Sequence, residues 1–368
     1  MRIESVEAIA VEIPLRKVFS GSGYSVRSRA TILTRIRTAG GLVSEVYNGD
    51  NREEGRALVA IIETELKPLL LGEDAGRIER LWGRMFPLAH ASRDRKLVME
   101  AIACVDTALW DLLGKSLGAS VWRLLGGFAE RLPIIAIAGY YEEGKTLADL
   151  GREMERLAEA GMAGCKLKVG GLSPEEDAER VAAARSAAGA DFILALDANR
   201  GWPVGEAIRF ARLVEKHGIR WFEEPCHWYD DAAGMAEVRR RTGIPITAGQ
   251  SEITSHGVRR LIAAGAIDIV NFDASEAGGV SEWRRAAALA AIHGIALAHH
   301  EEPQIATHLL ASQPNGTAVE CFPDPERDPL WAGAIKNRAR IAGGTIEVPQ
   351  GAGFGLELDW AFLDRYRV

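Results

Sequence analysis

The sequence predicts an α/β protein in which an α+β unit precedes a barrel of parallel strands and helices. Two observations predict this architecture: short apolar strands alternate with amphipathic helices from about residue 133 onward, and the chain before that point runs from strands into helices. A third is that a polar side chain ends most of the predicted barrel strands, where barrel proteins place their chemistry. The chain of 368 residues is long enough for two or three domains.

The N-terminal unit begins with strand patterns and continues with helical ones. Apolar and polar residues alternate over residues 3–13, 30–36 and 42–47, as in strands with one buried face. Residues 53–117 then follow a helical pattern, with apolar side chains at three-to-four spacing toward its end. We therefore expect an α+β domain over residues 1–130.

The rest of the chain predicts a barrel. Short apolar strands about 25–30 residues apart alternate with helical segments, close to the ~250 residues that eight strand–helix units occupy. The predicted strands, in chain order, are residues 134–138, 165–169, 192–196, 220–222, 244–248, 267–272, 295–298 and 318–321. Few residues remain for a helix after the eighth strand. We expect the barrel to cover residues 131–340, and residues 341–368 to pack back onto the N-terminal domain.

Composition limits the classes of function. The net charge of −7 and the pI near 5.7 argue against a nucleic-acid-binding protein. No apolar run approaches the ~20 residues of a membrane helix, and no basic and then apolar leader indicates secretion. The four cysteines lack metal-ligand spacing and indicate ordinary buried thiols in a reducing compartment. The sequence therefore predicts a cytoplasmic protein that binds neither nucleic acid nor membrane.

Two lysines end the second predicted barrel strand. Lys166 and Lys168 are two residues apart, so both side chains leave the same face of the strand and point into the barrel mouth. We expect repulsion between the two ammonium groups to lower the pKa of at least one of them and make it a usable base. A Schiff-base enzyme on a plain aldolase-type barrel is an alternative interpretation of the same lysines.

Acidic and amide side chains end the next three strands. Asp197 and Glu223 each follow a strand, and Gln250, with Glu252 close by, follows the next. Oxygen ligands from successive barrel strands suit Mg²⁺, so the sequence predicts a metal site there. We expect Glu224 to face the opposite side, because side chains alternate along a strand, and to form a salt bridge.

The last strands end in groups suited to proton transfer. Asp273 and one of His299 and His300 end consecutive strands, and Glu320 ends the eighth. A carboxylate can bond one imidazole nitrogen and leave the other for proton transfer. Alternation lets only one of the two histidines face the mouth.

These residues resemble those of the enolase superfamily and, within it, of the mandelate racemase subgroup. The motifs that carry the resemblance are Lys166-Leu167-Lys168, Asp197-Ala198-Asn199, Glu223-Glu224-Pro225, Asp273 with Gly278-Gly279-Val280, His300, Glu320, and the helix over residues 106–115 that runs into Gly126-Gly127. The resemblance covers almost the whole chain. It implies a modified TIM barrel, (β/α)7β, with an α+β N-terminal capping domain, which agrees with the weak last helix, and it implies a homo-oligomer.

The resemblance also implies a role for each proton carrier. It makes Lys168 the base on one face of the substrate, with Lys166 beside it at the substrate carboxylate. The dyad of Asp273 and His300 acts on the other face, and Glu320 donates a hydrogen bond to the substrate carboxylate.

For the metal, the resemblance implies Mg²⁺ bound by Asp197 and Glu223. The third ligand in this family is usually an acid after a glycine, whereas here Gln250 follows Gly249. An amide oxygen can still bind Mg²⁺, but the shell then carries two negative charges rather than three. Either Gln250 or Glu252 completes it.

The implied reaction is removal of the proton α to a carboxylate, giving an enediolate. Dehydration of a sugar acid to a 2-keto-3-deoxy acid is the outcome we favour, because polar residues at the mouth, among them Tyr24, Asn199 and Gln304, could bind several hydroxyls. A racemase or epimerase of a 2-hydroxy acid, or a sugar-lactone cycloisomerase, would use the same site. The alternative from another class is a non-catalytic binding protein whose metal site is degraded at Gln250.

Overall fold

The computed structural model describes residues 1–50, 54–91 and 93–368. An N-terminal antiparallel sheet of order β1-β2-β3 consists of β1 (Ile3–Ser20), β2 (Ser25–Thr38) and β3 (Val43–Asn48). One face of the sheet packs on the helices of this domain, and apolar residues of the other face pack against the C-terminal segment. The helices of this domain are α1 (Gly55–Ile61), α2 (Lys67–Leu70), α3 (Ile78–Met85), α4 (Arg95–Leu117) and α5 (Val121–Leu124), with a π-helical segment at Ile62–Leu66 and a 3-10 turn at Phe86–His90.

Helix α4 joins the capping domain to the barrel. Its N-cap Asp94 accepts a hydrogen bond from Leu97 N at 3.2 Å, and Gly118, at φ 64°, ends it in the left-handed region. Most of α4 is buried because it packs between the sheet and the barrel. No helix in the described ranges has both the length and the apolar character needed to cross a bilayer, α4 included.

The barrel has eight parallel strands in chain order. They are β4 (Arg131–Ala138), β5 (Gly164–Lys168), β6 (Ile193–Asp197), β7 (Phe222–Glu223), β8 (Ile246–Ala248), β9 (Ile269–Asn271), β10 (Ala296–Ala298) and β11 (Val319–Cys321). Strand β11 pairs with β4, and Leu297 of β10 exchanges hydrogen bonds with Asn315 and Thr317 just before β11, at 2.8 Å each, so the ring closes. All eight predicted strands form, although the fourth comprises residues 222–223 rather than 220–222.

Seven helices connect the barrel strands. They are α6 (Leu147–Glu159), α7 (Pro174–Ala188), α8 (Val204–Val214), α9 (Asp231–Arg241), α10 (Ser255–Ala263), α11 (Gly279–Ile292) and α12 (Pro303–Ala311). Only the short α13 (Pro329–Gly333) follows β11 before the C-terminal segment. The predicted (β/α)7β barrel with an N-terminal capping domain is therefore confirmed.

The C-terminal segment contacts both domains. The hairpin of β12 (Ile341–Ala342) and β13 (Thr345–Glu347) extends the sheet beside β4. Helix α14 (Trp360–Leu363) lies at the capping sheet, where Leu363 is buried in one cluster with Val11, Ile13 and Leu33. The last residue, Val368, donates a backbone hydrogen bond to Ala10 O at 3.1 Å.

A buried polar contact holds α4 against α11. Asp106 accepts hydrogen bonds from Ser281 N at 2.9 Å and Ser281 Oγ at 2.7 Å, and Trp110 Nε1 donates to the same hydroxyl at 3.0 Å. Gly279 permits this approach, because a Cβ there would lie 2.4 Å from Asp106 Oδ2 and its φ is +87°. Docking of α4 here places the capping domain over the carboxyl ends of the barrel strands.

Backbone strain in the described residues is concentrated at those strand ends. The non-glycine residues with positive φ follow β6, β7 and β10 and are Asn199, Arg200, Glu224, Glu301 and Glu302. Such conformations cost about 1–3 kcal/mol each and persist where surrounding contacts impose them, typically at functional sites. The carboxyl end of the barrel is therefore where a site is expected.

Candidate active site

A cavity of about 520 Å³ lies between the capping domain and the carboxyl ends of the barrel strands. Gly23 and Tyr24 of the loop between β1 and β2, and Lys96 of α4, line it from above. Lys168, Asn199, Gln250 and His300 are among the barrel residues that line it. The capping loop is seated on the barrel, because Ser22 Oγ donates a hydrogen bond to Ala198 O at 2.7 Å.

Lys166 lies at the carboxyl end of β5, two residues before Lys168, which lines the cavity. Its side chain is fully buried, and its Nζ lies 2.8 Å from Glu223 Oε1, 2.7 Å from Glu320 Oε1 and 3.8 Å from Asp197 Oδ2. Strands β5, β6, β7 and β11 supply these four groups, so the ring closure brings them together. One ammonium therefore faces three carboxylates.

Lys168 lies two residues further along β5, closer to the mouth of the barrel. Its Nζ donates hydrogen bonds to Asp197 Oδ2 at 2.6 Å and to Asn199 Oδ1 at 3.1 Å. The rings of Tyr24 and Tyr140 lie 5.7 and 6.0 Å from the same nitrogen, so aromatic faces enclose the ammonium on the cavity side. The structure thus places Lys168, Asn199 and Tyr24 together in the cavity, as predicted.

The expected lowering of a lysine pKa by its neighbour is wrong for the substrate-free protein. Burial alone would lower the pKa of both amines, but Glu223, Glu320 and Asp197 outweigh it and raise the pKa of Lys166. Asp197 likewise outweighs burial and raises the pKa of Lys168. Each lysine faces carboxylates more closely than it faces the other lysine, because the carboxylates come from the adjoining strands.

The predicted metal ligands lie on consecutive strands and offer buried oxygens without protein partners. Among described side chains, Glu223 Oε2 and Gln250 Oε1 are buried and accept no hydrogen bond. Asp197 Oδ2 faces the two lysines, and Oδ1 accepts the N–H of Asn199 at 2.9 Å. Burial outweighs the nearby Lys166 and raises the pKa of Glu223 to about 8, and a bound cation would favour its charged form. Hard oxygens of this kind fit Mg²⁺.

The structure distinguishes between the two candidates for the third ligand. Gln250 lines the cavity, and its Nε2 donates a hydrogen bond to Glu224 Oε2 at 3.2 Å, which leaves Oε1 free. Glu252 instead pairs with Arg260 at 2.7 Å on the outer side of β8. The geometry therefore does not support Glu252 as the third metal ligand, and Gln250 stays the candidate for that position.

Glu224 forms the expected salt bridge, with Arg200 at 3.3 Å. It does not line the active-site cavity but a small pocket shared with Met235, Ala248 and Leu261, and its φ of 39° turns the backbone there. The turned carboxylate accepts hydrogen bonds from Gln250 and, at 2.6 Å, from Ser251 Oγ. Glu224 thus orients the amide of Gln250.

The histidine that faces the cavity is His300. Its Nδ1 lies 3.0 Å from Asp273 Oδ2, and Asp273 Oδ1 is held by the N–H and hydroxyl of Ser275, at 2.7 Å each. His299 is fully buried, with Nε2 accepting the N–H of Ala274 at 3.1 Å and Nδ1 donating to a backbone carbonyl at 2.9 Å. The dyad of Asp273 and His300 therefore leaves His300 Nε2 available at the cavity.

One predicted substrate-binding residue lies elsewhere. Gln304 is fully buried in α12, and its Oε1 accepts the N–H of Ala339 at 2.9 Å. The prediction that Gln304 lines the mouth is wrong, because the first turn of α12 directs this side chain toward the C-terminal segment.

Several residues at the cavity were not predicted. Lys96 from the capping domain pairs with Glu276 at 3.0 Å, and Glu276 lies beside the dyad. Arg327 also lines the cavity. The polar stretch after the strand was a signal for Glu276, whereas Lys96 reaches the site only through docking of α4. Glu301, whose Oε1 lies 3.5 Å from His300 Nε2, belongs to the polar residues that the sequence places at the mouth.

Comparison with known proteins agrees with this architecture. Residues 4–126 match the mandelate racemase/muconate lactonizing enzyme N-terminal domain, and residues 149–362 match the enolase C-terminal domain-like family. A crystal structure of a mandelate racemase/muconate lactonizing enzyme from a marine actinobacterium, in complex with magnesium, is 44% identical. It superposes with a TM-score of 0.93, covering 100% of this chain and 99% of that one.

Curated relatives span the same length. The 3,6-anhydro-alpha-L-galactonate cycloisomerase of Streptomyces coelicolor is 31% identical over 367 residues, which is 100% of this chain and 99% of the relative. The arabinonate dehydratase of Saccharolobus solfataricus is 31% identical over 360 residues, 96% of this chain and 94% of the relative. With both domains matched and the strand-end residues in place, the chain belongs to the mandelate racemase/muconate lactonizing enzyme family of the enolase superfamily and is an enzyme of that superfamily.

Proposed function

We propose that this enzyme uses Mg²⁺ to remove the proton α to the carboxylate of a sugar acid and eliminates water to give a 2-keto-3-deoxy acid. The observation that carries the proposal is the placement of two separate proton carriers, Lys168 and His300, on one cavity that is also lined by Gln250, whose Oε1 accepts no hydrogen bond from the described residues. The relatives named as a dehydratase and a cycloisomerase of sugar acids support the same class of substrate.

Asp197, Glu223 and Gln250 would hold the cation. When bound there, its charge would offset that of the two carboxylates and of the substrate carboxylate, which favours both the amine form of Lys168 and loss of the α-proton. Lys166 and Glu320 would contact the substrate carboxylate, and Lys168 would accept the proton from the α-carbon.

The protonation state of His300 suits the role of the acid in elimination of water. Burial alone would lower its pKa, but Glu301 and the hydrogen bond to Asp273 outweigh burial and raise the pKa of His300 to about 10. At neutral pH the ring is an imidazolium, and its Nε2 can give a proton to a departing β-hydroxyl. The C–O bond breaks as water leaves, and the resulting enol tautomerises to the 2-keto acid.

A panel of aldonates and aldarates, incubated with the enzyme and Mg²⁺, tests the proposal. We expect a 2-keto acid, detected as its semicarbazone, from at least one member. Inversion at the α-carbon without loss of water would show that the reaction is racemisation and not dehydration. If no member exchanged its α-proton with D₂O, the proposal would be wrong.

Gln250 as a metal ligand gives a prediction that does not depend on turnover. Replacing Gln250 with alanine should weaken Mg²⁺ binding by more than about tenfold, since it removes an oxygen from the ligand set. Isothermal titration with Mg²⁺ alone measures the change. Glu252→Gln is the matched control and should leave the affinity unaltered, because Glu252 pairs with Arg260. Equal effects of the two substitutions would exclude Gln250 as the ligand.

Glu301 gives a prediction for pH dependence. Turnover should fall as the pH rises through about 10, where His300 loses its proton. Glu301→Gln removes a negative charge 3.5 Å from Nε2 and should move this alkaline limb of kcat/KM down by about one pH unit or more. A histidine pKa that is higher in the folded than in the unfolded state also stabilises the fold. This stabilisation is complete below pH ~6.5 and is gone above the folded-state pKa. Because Glu301→Gln lowers the folded-state pKa, the stabilisation should disappear at a lower pH in the variant than in the wild type.

Asp328→Asn is the matched control for Glu301→Gln. Asp328 pairs with the same arginine as Glu301, Arg29, at 3.3 Å, but does not contact His300. Its substitution should leave the alkaline limb in place. An unchanged limb in Glu301→Gln would show that another group sets the titration.

We also propose a homo-oligomer and a cytoplasmic location. The family resemblance supports the first. Cys104, Cys165 and Cys321 are buried free thiols, which supports the second, since a reducing compartment keeps thiols in that state.

A further inference from the structure

Arg327, which follows β11, is a buried cation without a carboxylate partner among the described residues. It is 3% exposed, and its Nε and Nη2 donate to the hydroxyl of Tyr140 at 3.3 and 3.2 Å. Nη1 is buried and donates to nothing in the described part of the chain. The remaining contacts are aromatic: the guanidinium carbon lies 3.9 Å from the centre of the Phe322 ring and 5.7 Å from that of Phe19.

The other buried arginines in the described ranges, Arg29 and Arg180, are ion-paired. Arg29 lies 2.6 Å from Glu301, 2.8 Å from Asp50 and 3.3 Å from Asp328. Arg180 lies 2.6 Å from Asp177. Glu301 and Asp50 act on Arg327 only from longer range, because both pair directly with Arg29. A buried charge without a directly paired counter-ion is unfavourable, so Arg327 can accept a further anion.

Arg327 lines two cavities. One is the active-site cavity, which it shares with Lys168 and His300, and the other, of about 590 Å³, is lined also by its neighbours Tyr140, Phe19 and Phe322. The guanidinium carbon of Arg327 and Lys168 Nζ lie 5.4 and 6.0 Å from the centre of the same Tyr140 ring. A substrate whose α-carbon is next to Lys168 can therefore extend its far end toward Arg327, away from the carboxylate bound at Lys166.

We propose that Arg327 binds a second carboxylate at the far end of the substrate, so that the preferred substrates are sugar diacids rather than monoacids. The inference rests on the proposed function and deepens it by naming the substrate class. A planar guanidinium suits a carboxylate, because two N–H groups can donate in parallel to its two oxygens. A primary alcohol, which ends an aldonate, would leave the charge of Arg327 uncompensated.

Galactarate and galactonate differ only at that end and test the proposal. We expect higher kcat/KM for aldarates than for the matching aldonates across the panel. Arg327→Gln should lower kcat/KM for an aldarate substrate at least about thirtyfold, mainly by raising KM. For the matching aldonate, the same substitution should change kcat/KM by less than about threefold. Arg327→Lys, which keeps a charge without the planar fork, should recover part of the loss.

Arg200→Gln is the control, because Arg200 lines the same cavity but is already paired with Glu224 at 3.3 Å. It should affect both acids to the same extent. Arg327→Gln should also not lower the melting temperature of the ligand-free protein, since it removes an unpaired buried charge. A lower melting temperature with equal losses on both acids would indicate a structural role and overturn the proposal.

Failure of the substrate-class inference is distinguishable from failure of the proposed function. If the enzyme turns over only aldonates, and Arg327→Gln does not change that turnover, the dehydration proposal stays intact and the diacid proposal is overturned. If neither acid reacts, calorimetric titration of galactarate and galactonate into the Mg²⁺-loaded wild type and Arg327→Gln decides. Tighter binding of the diacid that is lost in the variant supports the proposal, and equal binding by both proteins overturns it.

Discussion

Replacing His300 with asparagine should lower turnover of the acid-sugar substrate by about 10²–10⁴-fold while leaving the fold intact. The amide of asparagine can still donate to Asp273, so the carboxylate keeps a partner, but no group remains at the position of Nε2 to give up a proton. Steady-state kinetics measure the loss, and circular dichroism checks the fold. His256→Asn, on the exposed face of α10, is the matched control and should retain full activity.

Isotope exchange separates the roles of the two proton carriers. In D₂O, His300→Asn should still exchange the α-proton of a substrate whose α-carbon faces Lys168, without forming product. Lys168→Ala should abolish both exchange and product, since it removes the amine that takes this proton. Full activity in either variant would contradict the acid–base assignment. Exchange that depends on His300 rather than Lys168 would reverse it.

The fold was predictable from the sequence because the barrel repeats one local pattern. Each short apolar strand is followed by an amphipathic helix, and parallel strands joined by helices have few ways to close. Strand ends were less predictable: β7 comprises only Phe222 and Glu223, and its boundary depends on pairing with β6 and β8 rather than on its own sequence. Local pattern therefore predicts the existence of a strand better than its limits.

At the site, the sequence predicted the directions of side chains on the strands better than those of side chains in the segments that follow the strands. Lys166 and Lys168 follow the alternation of β5 and point inward as predicted. Glu224 and Glu301 adopt left-handed conformations that no alternation rule covers, and Gln304 enters a helix whose first turn points elsewhere. The pKa of the lysines was predicted with the wrong sign because the carboxylates that surround them come from distant positions in the chain.

Replacing Lys166 with methionine should lower the free energy of unfolding by about 3–5 kcal/mol in metal-free buffer. Methionine keeps nearly the volume of lysine, so the cost of a cavity is small. The loss arises because Glu223 and Glu320, now 2.8 and 2.7 Å from the ammonium, would remain buried without it. Urea denaturation followed by circular dichroism measures the difference.

Lys67→Met is the control for that substitution, since it removes a lysine paired with Glu63 at 2.6 Å on the surface, where both side chains are about one-third exposed. An exposed pair of this kind contributes about 0.3–0.5 kcal/mol, because water solvates both charges when the pair is broken. Mg²⁺ should restore part of the stability of Lys166→Met and raise that of the wild type, because a ligand that binds only the folded state stabilises it. A loss below about 1 kcal/mol in Lys166→Met would mean that water reaches these carboxylates and solvates them. The ammonium of Lys166 would then not be what holds the acidic groups of three strands together.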